Sequence, residues 1–196
     1  MNYQKDNIMD NIELEIKIQI ALEEYNYIKF FLEENGVFVD AVEEHDKYYA
    51  PSHRDFLSPE YPYEWLRVRE KGDKITFNYK HFYPENAPAS DYCNEYEVSV
   101  SNSEILDKIL SALDIMLLVR VDKKRERYMC YDEYEVSLDH IDELGYFVEI
   151  EYKREIVDIL ACSDKVSSFA RELNLDLKRK DNRGYPYLVM EMLKKK

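Results

Sequence analysis

The chain has 196 residues, enough for one domain (1–196) with a substantial core, and its charged fraction of 35% beside a hydrophobic set of 45% excludes a disordered protein. A net charge of −14 excludes a protein that coats nucleic acid, because that role needs a basic surface to displace counterions. No apolar run reaches the length that spans a bilayer, and residues 1–10 are polar without a signal core, so no membrane partner is expected. Cys93, Cys130 and Cys162 are widely spaced and form no C-x-x-C pair, which indicates neither a disulfide framework nor a zinc site and makes a reducing cytoplasm the expected location.

In chain order, Ile12, Leu14, Ile16, Ile18 and Ile20 alternate with Glu13, Glu15, Lys17 and Gln19, which predicts a first strand over 12–20. Leu22, Tyr25, Ile28, Phe31 and Leu32 recur at helical spacing, and Asn35-Gly36 supplies a stop. A strand around 45–49 and a Pro-containing loop over 51–62 follow. Strands are then expected at 64–70 and 74–80, joined by a hairpin at Lys71-Gly72-Asp73. A second loop over 84–92 precedes a strand at 94–100. Ser103 is positioned to cap a helix bearing Ile105, Leu106, Ile109, Leu110 and Leu113. Strands follow at 118–128, 134–139 and 146–152, then a helix over 164–173. The tail at 185–193 is aromatic and apolar, so it is expected to be tied down, and it offers a surface for a homodimer.

About eight strands with mostly hairpin connections are enough to close a barrel. The charge pattern says what that barrel holds. Glu13-Leu-Glu15-Ile-Lys17, Arg67-Val-Arg69, Glu95-Tyr-Glu97, Lys123-Lys-Arg125 and Glu149-Ile-Glu151 each place charges two residues apart, hence on one face of a strand, with apolar or aromatic residues mostly between them. A two-layer sheet with one solvent face would satisfy the same alternation. Curling the sheet so that the charged face lines a wet lumen, with helices covering the apolar face, satisfies it while bringing both signs of charge together. The expected class is therefore α+β, an eight-stranded antiparallel barrel with flanking helices. Carboxylates are ligands for a hard divalent cation, which points to Glu13, Glu15, Glu149 and Glu151 for metal, with Asp139 a further acid. Lys17, Arg67, Arg69, Lys80, Lys123 and Arg125 are the corresponding polyphosphate clamp. The four histidines, His45, His53, His81 and His140, have no ligand spacing. Tyr48, Tyr49 and Trp65 suit either packing or stacking on a base.

These residues resemble the CYTH superfamily, the triphosphate tunnel enzymes that include class IV adenylate cyclases and thiamine triphosphatases. The resemblance runs from the Glu13-Leu-Glu15-Ile-Lys17 opening through His45-Asp46-Lys47-Tyr48-Tyr49, Arg67/Arg69, Lys80 and Lys123-Lys124-Arg125. It continues through Leu138-Asp139 and Leu144-Gly145-Tyr146-Phe147-Val148-Glu149-Ile150-Glu151, and Tyr185-Pro186-Tyr187-Leu188 looks like the closing segment. It implies an eight-stranded tunnel in which Glu13, Glu15, Glu149 and Glu151 hold Mg²⁺ or Mn²⁺ and the six basic residues hold the triphosphate. Arg54-Asp55-Phe56 followed by Arg67/Arg69 looks most like the class IV cyclase branch, with ATP as substrate and cyclic AMP and pyrophosphate as products. A triphosphatase acting on inorganic triphosphate, thiamine triphosphate or a nucleotide is the alternative, and a phosphate-ligand sensor without turnover is a third. Asp139, Glu149 and Lys17 are the catalytic candidates. Val119 and Val121 share parity with Lys123, which suggests a bulge between them and leaves Arg127 inside or outside the lumen.

Overall fold

A computed structural model describes residues 11–90, 92–181 and 183–195. Residues 1–10, read from sequence as polar and without a signal core, lie outside them. Strands β1 (Ile12–Glu13) and β2 (Glu15–Ile20) precede helix α1 (Leu22–Asn35) and the strands β3 (Gly36–Pro51), β4 (Glu64–Lys71), β5 (Lys74–Tyr83) and β6 (Tyr92–Val100). Helix α2 (Ser103–Ala112) leads to β7 (Ile115–Cys130), β8 (Tyr134–Ile141) and β9 (Gly145–Tyr152), and helices α3 (Ile159–Glu172) and α4 (Gly184–Lys194) follow.

The nine strands of the described residues form one antiparallel sheet in the order β1-β6-β5-β4-β3-β7-β8-β9-β2. Its two ends are consecutive pieces of a single segment, because Ile12 and Glu13 pair with Asn94 and Cys93 while Glu15–Ile20 pairs with β9. The predicted strand over 12–20 is thus divided at Leu14, and the eight expected strands become nine ladder members. The polypeptide itself, passing through Leu14, links the edges of the curled sheet into a tunnel.

Side-chain parity decides which face the helices cover. Leu14, Ile16, Ile18 and Ile20 are buried outward with Val136, Leu138, Val148 and Ile150, beneath Ile28 and Leu32 of α1 and Val166, Phe169 and Ala170 of α3. The alternate residues of the same strands, Glu13, Glu15, Lys17, Glu149 and Glu151, consequently face inward. Helix α2 lays Leu106 and Leu110 on Val68, Leu66, Ile75 and Phe77, covering a second stretch of the outer face.

Several elements differ from the sequence expectation. The strand expected at 45–49 is β3, sixteen residues long, because its first half pairs with the end of β7. Asn102, not Ser103, caps α2 by accepting from the Ile105 amide, since Ser103 is already the first helical residue. Helix α3 starts ahead of the predicted 164, at Ile159, capped by Asp158, whose carboxylate accepts from the Leu160 and Ala161 amides. The aromatic tail is itself helical, as α4. No bulge separates Val121 from Lys123: the register shifts in the β3/β7 ladder fall between Phe38 and Asp40 and between Tyr48 and Tyr49. Val119 and Val121 keep the inward face and pack with Tyr48, Trp65, Phe82, Phe147 and, from α4, Tyr185 and Val189. One strand face therefore serves two environments, charged in the lumen and apolar where α4 stops it.

Two glycines are fixed by space. At Gly36, which ends α1 in an extended conformation, a Cβ would lie 2.9 Å from the Leu32 carbonyl oxygen and 3.1 Å from the Cys130 sulfur. Gly184 opens α4 at φ +78°, where a Cβ would approach the Trp65 Nε1 to 3.1 Å. All three cysteines are free and buried, and no helix among the described residues is long and apolar enough to cross a membrane.

A two-walled charged tunnel as candidate active site

The inward faces enclose a cavity of about 280 Å³. Among the described residues ten basic and eight acidic side chains line it, and two more buried acids, Asp46 and Asp139, stand against Arg69 and Arg125. The signs are largely segregated, with Lys17 and Lys153 among the acids and Glu44 and Glu135 among the bases. Glu13, Glu15, Glu149 and Glu151 on β1, β2 and β9 continue into Glu95 and Glu97 on the neighbouring β6, forming one acidic arc. Across from it, β4 and β7 present Arg67, Arg69, Lys71, Lys123, Arg125 and Arg127.

Every predicted clamp and metal residue lines this cavity. Asp139 does not. It is fully buried behind the lining, where Arg125 donates from Nε and Nη2 at 2.7 and 2.6 Å and the Tyr185 hydroxyl donates at 2.7 Å. Its two oxygens are thereby occupied, and it orients Arg125 from behind. The structure also places Arg127 at the lining, held by Asp40 at 2.7 and 2.5 Å.

The basic wall is unevenly satisfied. Arg69 donates to Asp46 through Nε and Nη2, both at 2.7 Å, and lies 3.0 Å from Glu44. Arg67, two residues away, has only distant acids, Asp46 at 3.8 Å and Glu95 at 3.7 Å, and its Nε is buried with no hydrogen-bond partner among the described residues. Lys123 has Glu44 at 3.1 Å, but Glu44 is shared with Arg69. Burial, reinforced by Arg125 and Arg69, pushes the Lys123 ammonium down to about 8. For Glu44, burial acts upward but Lys123, Arg125 and Arg69 outweigh it and hold the carboxyl at about 2.

On the acidic wall, Glu15 and Glu151 are directly opposite across the β2/β9 ladder, as are Lys17 and Glu149. Like charges so placed repel unless a cation lies between them. Lysines partly meet that need. Lys80 contacts Glu13 and lies 3.3 Å from Glu15 and 3.4 Å from Glu95, Lys17 lies 3.2 Å from Glu149, and Lys153 donates to Glu151 at 2.8 Å. Burial raises Glu13 well above the carboxylate range, with Glu15, Glu95 and Glu151 adding to the effect against Lys80. Burial also raises Glu151 despite Lys153, and Glu15 contributes in the same direction. Glu149 goes the other way, because Arg125, Lys17 and Lys123 outweigh its burial. Among the described residues no three acids, cysteines or histidines are drawn together as a ready ligand set. The donor chemistry fits a hard divalent cation: four carboxylates on one wall, two of them directly opposed.

From sequence no role attaches to Glu44, or to Asp46, which enters only within the His45-Asp46-Lys47-Tyr48-Tyr49 resemblance. Their two-residue spacing in Glu44-His45-Asp46 is the same signal that identified the other strands, but here His45 and the neighbouring Glu43 and Lys47 obscure it. The pair Glu95/Glu97 was recognised as a charged strand face without a role, and both residues line the cavity. The histidines lie away from the cavity lining. His45 meets Asp122 at 2.7 Å, and His81 stacks on Tyr83 with ring centroids 4.5 Å apart.

A curled antiparallel sheet with an acidic and a basic wall around its cavity defines a tunnel domain. The chain belongs to the CYTH domain family, whose model matches residues 11–185. Over 147 residues it is 27% identical to a candidate adenylate cyclase of Methanocaldococcus jannaschii, a match covering 74% of this chain and 79% of that protein. A solved structure from Pyrococcus horikoshii OT3 superposes with a TM-score of 0.76 at 26% identity, covering 91% of this chain and 98% of that one. A Hippeastrum protein, described as a candidate adenylyl cyclase with dominant triphosphatase activity, shares the fold with a TM-score of 0.56 at 14% identity, covering 83% and 87% of the two chains. CYTH proteins are adenylate cyclase-like or triphosphatase enzymes that act on triphosphates such as ATP and generally depend on a metal ion.

Proposed function

We propose that this protein is a metal-dependent enzyme that acts on a triphosphate held in the tunnel, with conversion of ATP to cyclic AMP and pyrophosphate as its reaction. The observation that carries the reading is the segregation of charge: an acidic wall able to hold cations faces a basic wall able to hold phosphate oxygens. A polyphosphate bound with divalent ions has this same two-sided requirement.

In this reading Arg67, with its unpartnered Nε, and Lys123, which shares Glu44 with Arg69, take the phosphate oxygens, and Arg69 and Arg125 are held in place by Asp46 and Asp139. Lys17 and Lys80 lie along the acidic wall, where they neutralise carboxylates and screen the bound phosphates. Glu13, Glu15, Glu149 and Glu151 would hold Mg²⁺ or Mn²⁺, which when bound supplies Lewis-acid stabilisation of the phosphate charge. Cyclisation forms a bond from the ribose 3′ oxygen to the α-phosphorus and breaks the bond from that phosphorus to the bridging oxygen, releasing pyrophosphate. The hydroxyl proton needs an acceptor in the lumen. Of the candidate carboxylates Glu149 and Asp139, Glu149 is the one at the lumen, where it is paired with Arg125 at 3.1 Å and Lys17 at 3.2 Å, so bound substrate must draw these cations away before it can accept the proton.

The Hippeastrum protein favours a second reading, hydrolysis at the γ-phosphorus in the same tunnel. The two reactions differ in which phosphorus is brought to the attacking oxygen. Purified protein incubated with ATP, and separately with inorganic and thiamine triphosphate, under Mg²⁺ and under Mn²⁺, tests both. Cyclic AMP with pyrophosphate supports the first reading and orthophosphate the second. Binding without turnover would overturn both in favour of a sensor.

A further inference from the structure

The C-terminal helix is more than a stopper. Tyr185, in the first turn of α4, is 3% exposed, and its ring and hydroxyl touch different parts of the basic machinery. The Lys17 ammonium lies 4.6 Å from the ring centroid and the Lys123 ammonium 5.2 Å from it. The hydroxyl donates at 2.7 Å to Asp139, the carboxylate that holds Arg125 in a two-point grip. One side chain thus contacts two clamp lysines directly and a clamp arginine through its acid. The ring's outer edge is fixed by Phe147, at 5.0 Å between centroids and nearly perpendicular.

We infer that Tyr185 is a positioning residue of the phosphate clamp, so that α4 is a working part of the triphosphate site. The inference rests on the proposed triphosphate reading and adds to it a group outside the charged strand faces. Its physical basis is that an ammonium near a buried aromatic face is attracted by the ring quadrupole while keeping its N–H donors free for an incoming anion. A carboxylate in the same place would hold the lysine equally well, but would compete with phosphate for it. Lys123 illustrates the distinction. Glu44 of β3 is its close acid, Arg69 of β4 and Arg125 of β7 repel it, Asp139 of β8 attracts it at longer range, and the ring of Tyr185 is its uncharged support. The buried phenol is held as a neutral donor, since burial and the adjacent Asp139 and Glu149 raise it well above its ordinary value.

The test uses the full chain and inorganic triphosphate as probe, with affinity measured calorimetrically in chelator and in Mg²⁺. Tyr185→Leu removes both ring and hydroxyl, while Tyr185→Phe keeps the ring. Trp65 is the sole tryptophan and adjoins Gly184 at the start of α4, so its emission reports whether the helix remains docked. With emission unchanged, Tyr185→Leu weakens binding on the order of tenfold, and Tyr185→Phe recovers most of that loss. In a Lys123→Met background the effect of Tyr185→Leu shrinks, because one of its targets is gone. Wild-type affinity in both variants overturns the inference and leaves the triphosphate reading intact. Equal, full loss in Tyr185→Phe and Tyr185→Leu also overturns it, since the ring would then contribute nothing. Failure of the wild-type chain to bind triphosphate overturns the underlying reading and the inference with it. Should Tyr185→Leu undock α4, the comparison of wild type with Tyr185→Phe in the two Lys123 backgrounds decides: coupling to Lys123 supports the inference, and additivity overturns it.

Discussion

Arg67 and Arg69 leave the same face of β4 two residues apart, yet Arg69 is bound along one edge of its guanidinium by Asp46 while the Arg67 Nε has no hydrogen-bond partner among the described residues. Identical residue type and parity conceal different duties. Arg67→Ala should weaken triphosphate binding by roughly 10- to 100-fold, as expected for losing a charge-assisted hydrogen bond of about 1.5–3 kcal/mol, with a small change in melting temperature. Arg69→Ala strands the buried Asp46 and should lower the melting temperature by on the order of 10 °C. Calorimetric titration and thermal melts of the two variants check the contrast. Equal behaviour in both assays would refute it.

The pH dependence of binding should reflect Lys123, whose ammonium is pushed down to about 8. Phosphate favours the charged form, so above that pH binding must take up a proton and affinity falls as pH rises. Titration in buffers of different ionisation enthalpy should show the uptake near pH 9 and little of it near pH 6. Folding carries the matching sign. A lysine whose folded value lies below its ordinary value of about 10.5 destabilises the fold fully below about pH 8, and that burden lifts as pH rises towards 10.5. Lys123→Met should therefore raise stability at pH 7 and lose that advantage by pH 11.

The opposed carboxylates Glu15 and Glu151 predict a metal-linked stability change. Glu151→Gln removes the repulsion, so in chelator the variant should melt no lower than wild type even though its bond to Lys153 is weakened. Adding Mn²⁺ should raise the wild-type melting temperature and raise that of the variant much less. A full metal response in Glu151→Gln would remove this residue from the ligand set.

Gly184→Ala tests how closely α4 must dock. The residue has φ +78°, and its added methyl would meet the indole nitrogen of Trp65 at 3.1 Å. The left-handed conformation alone costs an alanine roughly 1–2 kcal/mol. A lower melting temperature together with a shifted Trp65 emission is the expected result.

Much of the tunnel was legible because a strand repeats every two residues: once Leu14, Ile16 and Ile18 are assigned to the helix-covered face, Glu13, Glu15 and Lys17 can only point the other way. Arg67/Arg69, Lys123/Arg125 and Glu149/Glu151 followed by the same logic. The logic failed where one face changes surroundings along its length. Val119 and Val121 looked out of register with Lys123 because periodicity does not show that a helix from sixty residues further on fills that end of the lumen. Nor does it show what stands behind a residue. Asp139 has the inward parity of a catalytic acid, and only Tyr185 and Arg125 reveal that it is covered. The division of labour between Arg67 and Arg69 depends on the position of Asp46 on a neighbouring strand, which spacing within β4 does not contain.

The segment that carries both sheet edges sets a schedule for the chain's assembly. Residues 12–20 require partners at 93–94 and at 146–152, so on the ribosome they wait through some 130 residues of synthesis for their second ladder, with the isoleucine face unprotected meanwhile. Until β9 emerges the acidic wall has only its N-terminal half. Substitutions that slow the emergence or pairing of β9 should therefore reduce the yield of folded protein well before they alter the activity of the molecules that do fold.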